Sequence, residues 1–471
     1  PGIDEKPAVA APLEIGQSKE IEPTMASIEI LPDKILLQIF RKMEFPHLIW
    51  ISVVSSRWNR VIFELLERRV WFRLTGYNDM PNLSGRRSYK QVSMREGRLF
   101  SAKFKPSVLE ALGRTAKTLE IDCQVVYPEL LLYVLQFFRS VVKLKLVVEL
   151  FHGSDMNAAT FVEQARGIFP QVRFLTISAQ YYKSVGLLAA MAPTLVWLDV
   201  RVREQLLTKF YECRFDHLRE LTVRLSALPV PDQPRCFRAV KLVDFLSRQE
   251  NLRKLNLDVT AEFVSWDFSK LVLIEELTLN EKVLDFCGLS RMTRLRSLRC
   301  NRCIVLTYRD TTPVPSLKKL EINSSSGVKK VEQLTRHFPN LTTLVLRKWD
   351  LEAAEMQQIV RACPALRELS FAMSGLDAAL LVPLQQLGKL RKLCVEANVK
   401  NENDLAAVGG VLELESLREL HIAVAGAADE AALKKWNATL ARNNPSRKIV
   451  IGKARAEEEY GDSVSIYPLD S

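Results

Sequence analysis

The sequence predicts an α/β protein: a three-helix N-terminal segment followed by a curved solenoid, with a parallel sheet on the concave side and helices on the convex side. Three observations predict it. From about residue 114 one short apolar phrase returns at near-constant intervals. The segments between the phrases carry apolar residues at helical spacing. Residues 30 to 72, which the phrase does not reach, hold three apolar stripes too rich for a surface segment and too short to own a core.

The phrase is a leucine-like residue, two variable residues, a leucine, one variable residue and a further leucine-like residue. Leu195, Leu198 and Val200 form one copy; Leu252, Leu255 and Leu257, Leu317, Leu320 and Ile322, and Leu366, Leu369 and Phe371 form others. Openings at 195, 218, 252, 274, 295, 317, 341, 366, 390 and 417 give steps of 23, 34, 22, 21, 22, 24, 25, 24 and 27 residues. Weaker openings at Ala116, Val141 and Val172 and near Ser446 bring the total to fourteen. In a strand alternate residues share a face, so the fourth and sixth residues of each copy point into the solenoid while the third, fifth and seventh face outward. Between the strands, Glu352 to Ala362 places Met356, Ile359 and Val360 on one helical face, and Asp429 to Leu440 does the same with Leu433, Trp436 and Leu440. The period and phrase resemble those of the leucine-rich repeat family, in particular its cysteine-containing type, through Cys363-Pro364-Ala365-Leu366. The ninth position departs from that type: Cys303 and Asn398 fit it, and Lys282, Trp349 and Ala425 do not.

Composition narrows the function. The chain has 471 residues, 48% hydrophobic and 26% charged, enough for a sizeable core. No window approaches the roughly 18 apolar residues of a membrane helix, and Pro1 to Gly16 lacks the basic-then-apolar order of a secretory signal, so an intracellular protein, cytoplasmic or nuclear, is expected with no membrane partner. The eight cysteines, all at or beyond Cys123, are expected as reduced thiols rather than a disulfide framework. Cys300 and Cys303 have the spacing of half a zinc site, but no second pair lies near, and the register turns Cys300 inward. His47, His152, His217, His337 and His421 show no metal-ligand spacing, and no phosphate loop, nucleotide fingerprint or nucleophile elbow is present. No catalytic, cofactor or metal site is expected.

A net charge of +11 raises the question of nucleic acid, and more than half of it, +6, lies between Arg73 and Arg114. Over the fourteen repeats the third, fifth and seventh positions hold ten basic and ten acidic residues, a sheet face of mixed sign that suits a protein segment better than a polyphosphate. No nucleic-acid partner is expected. Phe174 and Trp197 occupy equivalent positions on adjacent repeats near Arg201 and Arg224, a composition typical of binding hot spots, and these four are the candidates for holding a protein substrate. The three prolines of Ala227 to Arg235 predict a protruding loop, and the acidic residues of 453–471 a solvated tail.

In the N-terminal segment, Pro32 suits a first helical turn, and Ile35, Leu36, Ile39, Phe40 and Met43 follow at helical spacing. Pro46 breaks the stripe; Leu48, Ile51, Val54 and Trp58 continue a second helix; Ile62, Leu65, Leu66 and Trp71 mark a third segment over Arg60 to Phe72. Leu31, Pro32, Asp33, Ile35, Leu36, Ile39, Phe40, Leu48, Val54, Trp58 and Trp71 closely resemble the pattern of the F-box. Lys34, Met43, His47, Ser55 and Val70 depart from it without removing a large apolar contact.

The resemblance implies a substrate receptor of a cullin-RING ubiquitin ligase. Its F-box would dock an SKP-family adaptor that bridges to the cullin-RING scaffold, with Leu31, Pro32, Ile35, Leu36, Ile39, Phe40, Leu48, Val54, Trp58 and Trp71 as adaptor-binding residues. The alternative is a non-catalytic repeat scaffold or inhibitor that uses the F-box for assembly alone. The expected organisation is a disordered segment over 1–28, the F-box over 29–72, a basic connector over 73–113, the repeats over 114–452 and the acidic tail over 453–471.

Overall fold

The computed structural model describes residues 30–52, 54–66, 71–75, 89–96, 105–151, 158–169, 171–226, 239–259, 264–280, 283–303, 305–309, 312–324, 335–399, 408–424 and 430–453. The expectations for residues 1–28, the Ala227 to Arg235 loop and the tail beyond Lys453 lie outside these residues. The chain divides into two units, one formed by residues 1–69 with 84–88 and the other by 70–83 with 89–471.

In the first unit, helices α1 (Asp33–Arg41), α2 (Phe45–Ile51) and α3 (Ser56–Leu66) follow one another closely. Pro32 precedes α1 at an extended ψ of 149°, and Pro46 sits in the first turn of α2, where its missing N–H is no loss. Helix α1 packs on α3, and α2 makes a smaller contact with α3. Leu36, Phe40, Leu48, Val61, Ile62 and Leu66 are buried, and the Phe40 and Trp58 rings meet edge to face at 5.5 Å. Of the apolar segment expected over Arg60 to Phe72, residues 60–66 are helical and Trp71 opens a strand.

The second unit is a sixteen-stranded sheet whose assigned pairings are all parallel. It runs from Trp71–Thr75 and Gln91–Glu96 to Lys448–Lys453, each strand lying beside the strand of the next repeat. The fold class is the expected one. The leucine phrase is fully buried along the array, as in Leu198 and Val200, Leu255 and Leu257, Leu320 and Ile322, and Leu369 and Phe371. Parallel neighbours need a crossover, and the repeat supplies it: the helix Ala353–Ala362 buries Met356, Ile359 and Val360 as its spacing predicts, and a capping box of Glu352 and Glu355 starts it. In the C-terminal helix Glu430–Asn443, Leu433 and Trp436 are buried and Leu440 is half-buried.

Two features differ from expectation. The sheet starts before the basic connector has ended: the strands Trp71–Thr75 and Gln91–Glu96 pair with each other and with Thr118–Val126. Their inward residues are Leu74, Val92 and Met94, an alternation that a leucine template passes over. Second, the repeats opening at 252, 274 and 295 carry short strands, Val264–Asp267, Val283–Cys287 and Val305–Tyr308, which pair in a separate parallel sheet. These repeats advance by only 21 or 22 residues, which leaves less chain than the 25-residue repeat at Leu341 uses for its ten-residue helix Ala353–Ala362. Trp266 and Phe268, both fully buried, stack at 5.5 Å where a helix face would otherwise fill the interior.

Cys300 is fully buried, in keeping with its inward register, and Cys363 is too. The Cys363 thiol lies 3.8 Å from the carbonyls of Thr335 and Phe338 in the preceding repeat, and burial pushes its pKa up to about 12.

Gly288 closes one of the short-strand repeats at a φ of 85°, and a Cβ there would stand 2.4 Å from the backbone nitrogen of Ser269 and 2.7 Å from Asp267 Oδ1. Asp267 Oδ1 already accepts the Ser269 amide at 2.9 Å, so neither atom can yield. Gly288→Ala is expected to destabilise the second unit by about 1–3 kcal/mol, read as a lower denaturant midpoint; an unchanged midpoint would contradict the tight turn.

Candidate functional site

The helical unit presents two sets of apolar residues. Leu36, Phe40 and Leu48 face its own core with at most 3% exposure, and Trp58 is half-buried against Phe40. Pro32, Ile35, Ile39 and Val54 are exposed, Val54 at 64%, and Leu31 is half-buried. Trp50 is also exposed, at 77%, as is Ile30. Burying such side chains against a partner is favourable by about 1.5–3 kcal/mol each. Trp71, grouped with them on sequence, lies on the first strand of the second unit. Trp50 escaped the sequence reading because it falls off the periodic stripe of Leu48, Ile51, Val54 and Trp58. An indole outside the core stripe of a short helix is the signal that could have found it.

A polar clamp fixes the start of α1. Asp33 accepts hydrogen bonds from Arg57 Nε at 2.8 Å and from Arg60 Nη2 at 2.9 Å, both on α3. Arg57 Nη2 also donates to the Leu31 carbonyl at 2.5 Å, which the first turn of α1 leaves available. Leu31, Pro32 and Ile35 are thereby held on the face that α3 supports. The hydrogen bond from Arg57 is the largest influence on the Asp33 carboxyl; desolvation opposes it, and the Arg57 charge with the hydrogen bond and charge of Arg60 tips the balance to below the ordinary range.

On the main sheet, Phe174 and Trp197 are register partners at the starts of adjacent strands, Phe174 exposed at 36% and Trp197 half-buried. Arg201 and Arg224 are register partners one strand further on, so the structure brings the four candidate residues onto three consecutive strands. The two arginines differ in character. Arg224 grips Asp199 with Nε and Nη2 at 3.2 and 3.1 Å, whereas Arg201 is exposed and makes no ion pair or side-chain hydrogen bond among the described residues. Burial pushes the Asp199 carboxyl above its ordinary range, against the pull of Arg224 and Arg201. The free guanidinium of the patch is therefore Arg201, and Arg224 is committed to the sheet.

The mixed sign of the sheet face resolves into pairs across neighbouring strands. Glu120 takes Lys145 at 2.8 Å and Arg95 at 3.3 Å, and Lys254 sits between Glu220 at 3.5 Å and Glu276 at 3.4 Å. Glu321 pairs with Arg299 and with Lys319. Burial alone would raise the Glu120 carboxyl, but Lys145 and Arg95 outweigh it and hold it low. Among the described residues no group of three or more His, Cys, Asp or Glu side chains is placed to hold a metal ion, and no helix is long and apolar enough to cross a membrane.

The depressed Asp33 carboxyl makes a pH prediction. Its contribution is fully present above the ordinary aspartate pKa of about 3.9 and is lost as pH falls through the lower folded value. Far-ultraviolet unfolding of the wild type is therefore expected to weaken more steeply below about pH 4 than that of Asp33→Asn; parallel acid profiles would show that the clamp is not ionic.

No curated protein matches the chain. Residues 28–67, which take in α1, α2 and α3 and stop short of the first strand, match the family model of the F-box domain, and the chain carries an F-box at the helical unit where the exposed apolar residues lie.

Proposed function

We propose that the chain is the substrate-recognition subunit of an SKP-cullin-F-box ubiquitin ligase. The F-box docks an SKP-family adaptor, which bridges to the cullin-RING scaffold. The leucine-rich repeat solenoid holds a protein substrate for ubiquitination and proteasomal degradation. The observation that carries this reading is the set of exposed apolar residues, Pro32, Ile35, Ile39, Trp50 and Val54, on a helical unit matched to the F-box, while Leu36, Phe40 and Leu48 fill the interior. The first set meets the adaptor; the second, with Trp58, holds the helices that present it. The patch of Phe174, Trp197 and Arg201 is the substrate contact, with Arg224 and Asp199 fixing its floor.

The chain itself performs no bond chemistry. It keeps a target lysine within reach of a thioester-linked ubiquitin, which raises the local concentration of the two reactants without supplying an acid, base or nucleophile.

Ile39→Asp places a charge on the docking face without opening the core, so it is expected to lower adaptor affinity by at least about thirtyfold, the equivalent of about 2 kcal/mol, with the helical signal unchanged. Leu36→Ala is expected to destabilise the helices by about 2–5 kcal/mol. Adaptor co-purification that survives Ile39→Asp would contradict the docking face. Target proteins whose lifetimes do not lengthen when docking is lost would favour a scaffold without turnover.

A further inference from the structure

From the repeat opening at Leu295 onward, the residue directly after the opening leucine forms a row that the pairing of the sheet face does not touch, whereas in the two repeats before it Arg253 and Glu275 pair at 3.9 Å. Successive members are linked by the backbone. Lys318 N donates to the Arg296 carbonyl at 2.8 Å, Thr342 N to Lys318, Arg367 N to Thr342, Arg391 N to Arg367 and Arg418 N to Arg391, all at 2.8 Å. These residues therefore stand in register along the strand-start edge of the sheet, one per strand, at a spacing of about 4.8 Å. Five of the six are basic: Arg296, Lys318, Arg367, Arg391 and Arg418. All five are exposed, and none makes an ion pair or side-chain hydrogen bond among the described residues. Several basic residues of the sheet face meet carboxylates on the next strand, as Lys145 meets Glu120 and Lys254 meets Glu220 and Glu276; here, past Glu275 at the head of the row, each rung is a cation or Thr342. At the head of the row a shallow depression opens between Arg294, Arg296, Thr293 and Ser316, with Glu275 on its rim.

From this we infer that the strand-start edge of these six repeats is a docking track for an acidic protein segment in extended conformation. Five steps span about 24 Å, the length of about seven extended residues. Width decides between a polypeptide and a nucleic acid. Beside the row the next residue along each strand is Ser297, Lys319, Thr343, Glu368, Lys392 or Glu419; the two lysines are committed to Glu321 and Glu419, and the other charges at this position are carboxylates. A duplex carries phosphates on both strands and would press on those carboxylates, whereas a single acidic chain fits the strip. Single-stranded nucleic acid relies on exposed aromatic platforms. Among the described residues the exposed aromatic side chains are Trp50, Trp71, Tyr133, Phe174 and Tyr182, all far earlier in the chain than Arg296. The track is distinct from the Phe174 and Trp197 patch and does not depend on adaptor docking.

The test is fluorescence anisotropy with the full-length protein and a labelled glutamate-rich heptapeptide, beside a labelled heptauridylate and phosphatidylserine vesicles. The peptide is expected to bind most tightly and to weaken as salt is raised. Combined Arg367→Glu, Arg391→Glu and Arg418→Glu is expected to lower its affinity at least tenfold with an unchanged circular dichroism spectrum, while lysine at the same three positions keeps affinity within threefold. Charge reversal that leaves the affinity within twofold would overturn the track. Tighter binding of the uridylate or the vesicles would overturn the acidic segment as its occupant. So would a tenfold gain in peptide affinity when Glu457, Glu458 and Glu459 are changed to glutamine, because the chain's own acidic residues would then be what lies there.

Discussion

One carbonyl per repeat holds the second unit in register. From Lys90 to Arg391 it accepts two amides from the following repeat, as the Arg367 carbonyl does from Arg391 at 2.8 Å and Lys392 at 2.9 Å. A slip of one residue would turn every leucine of the phrase to solvent. With that forked bond in place, the fourth and sixth positions face the interior and the remaining residues form straight rows across the strands. Each repeat has only its neighbours to bury against, so stability is shared along a line rather than around one centre.

Those rows decide the electrostatics. On the sheet face a residue of one sign lies about one strand from a residue of the other, and Lys254 between Glu220 and Glu276 is a chain of this kind. Exposed pairs of that sort contribute little to stability, about 0–1 kcal/mol each, but they remove free charge from the face. Among the charges left unmatched are Arg201, four residues along its strand from Trp197, and the cations along the strand-start edge. The helical unit works in the opposite way. Asp33 with Arg57 and Arg60 forms a clamp at the start of α1, and the exposed residues Pro32, Ile35, Ile39, Trp50 and Val54 that the unit presents are apolar.

The repeat register was legible in the sequence because the buried positions are almost all leucine, valine or isoleucine at a fixed spacing. It failed to show the first two strands because Val92 and Met94 take the place of leucine there, and it called for helices where repeats of 21 and 22 residues hold strands instead. Within the F-box stretch the pattern named the apolar residues but could not sort them. Ile35 and Leu36 are neighbours in sequence, yet one is 39% exposed and the other fully buried, a difference set by where α3 packs. Arg224 looked like a surface hot-spot residue until its carboxylate partner on the neighbouring strand came into view, since a partner 25 residues away is invisible to local spacing. The basic row lay outside the three positions counted for the sheet face, whose balanced total hid it.

As the proposed receptor, the chain sets the rate of a reaction by joining two partners, provided that both are held by the same molecule. That is the central claim, and mixing two half-defective copies tests it most directly. One copy carries Ile39→Asp with an intact sheet; the other carries Trp197→Ala and Arg201→Glu with intact helices. In a reconstituted ligase with a protein captured through the sheet, the account predicts ubiquitin transfer by the wild type and transfer at background level by the mixture. Transfer by the mixture at the wild-type rate would show that the two ends need not act in one chain, and would contradict it.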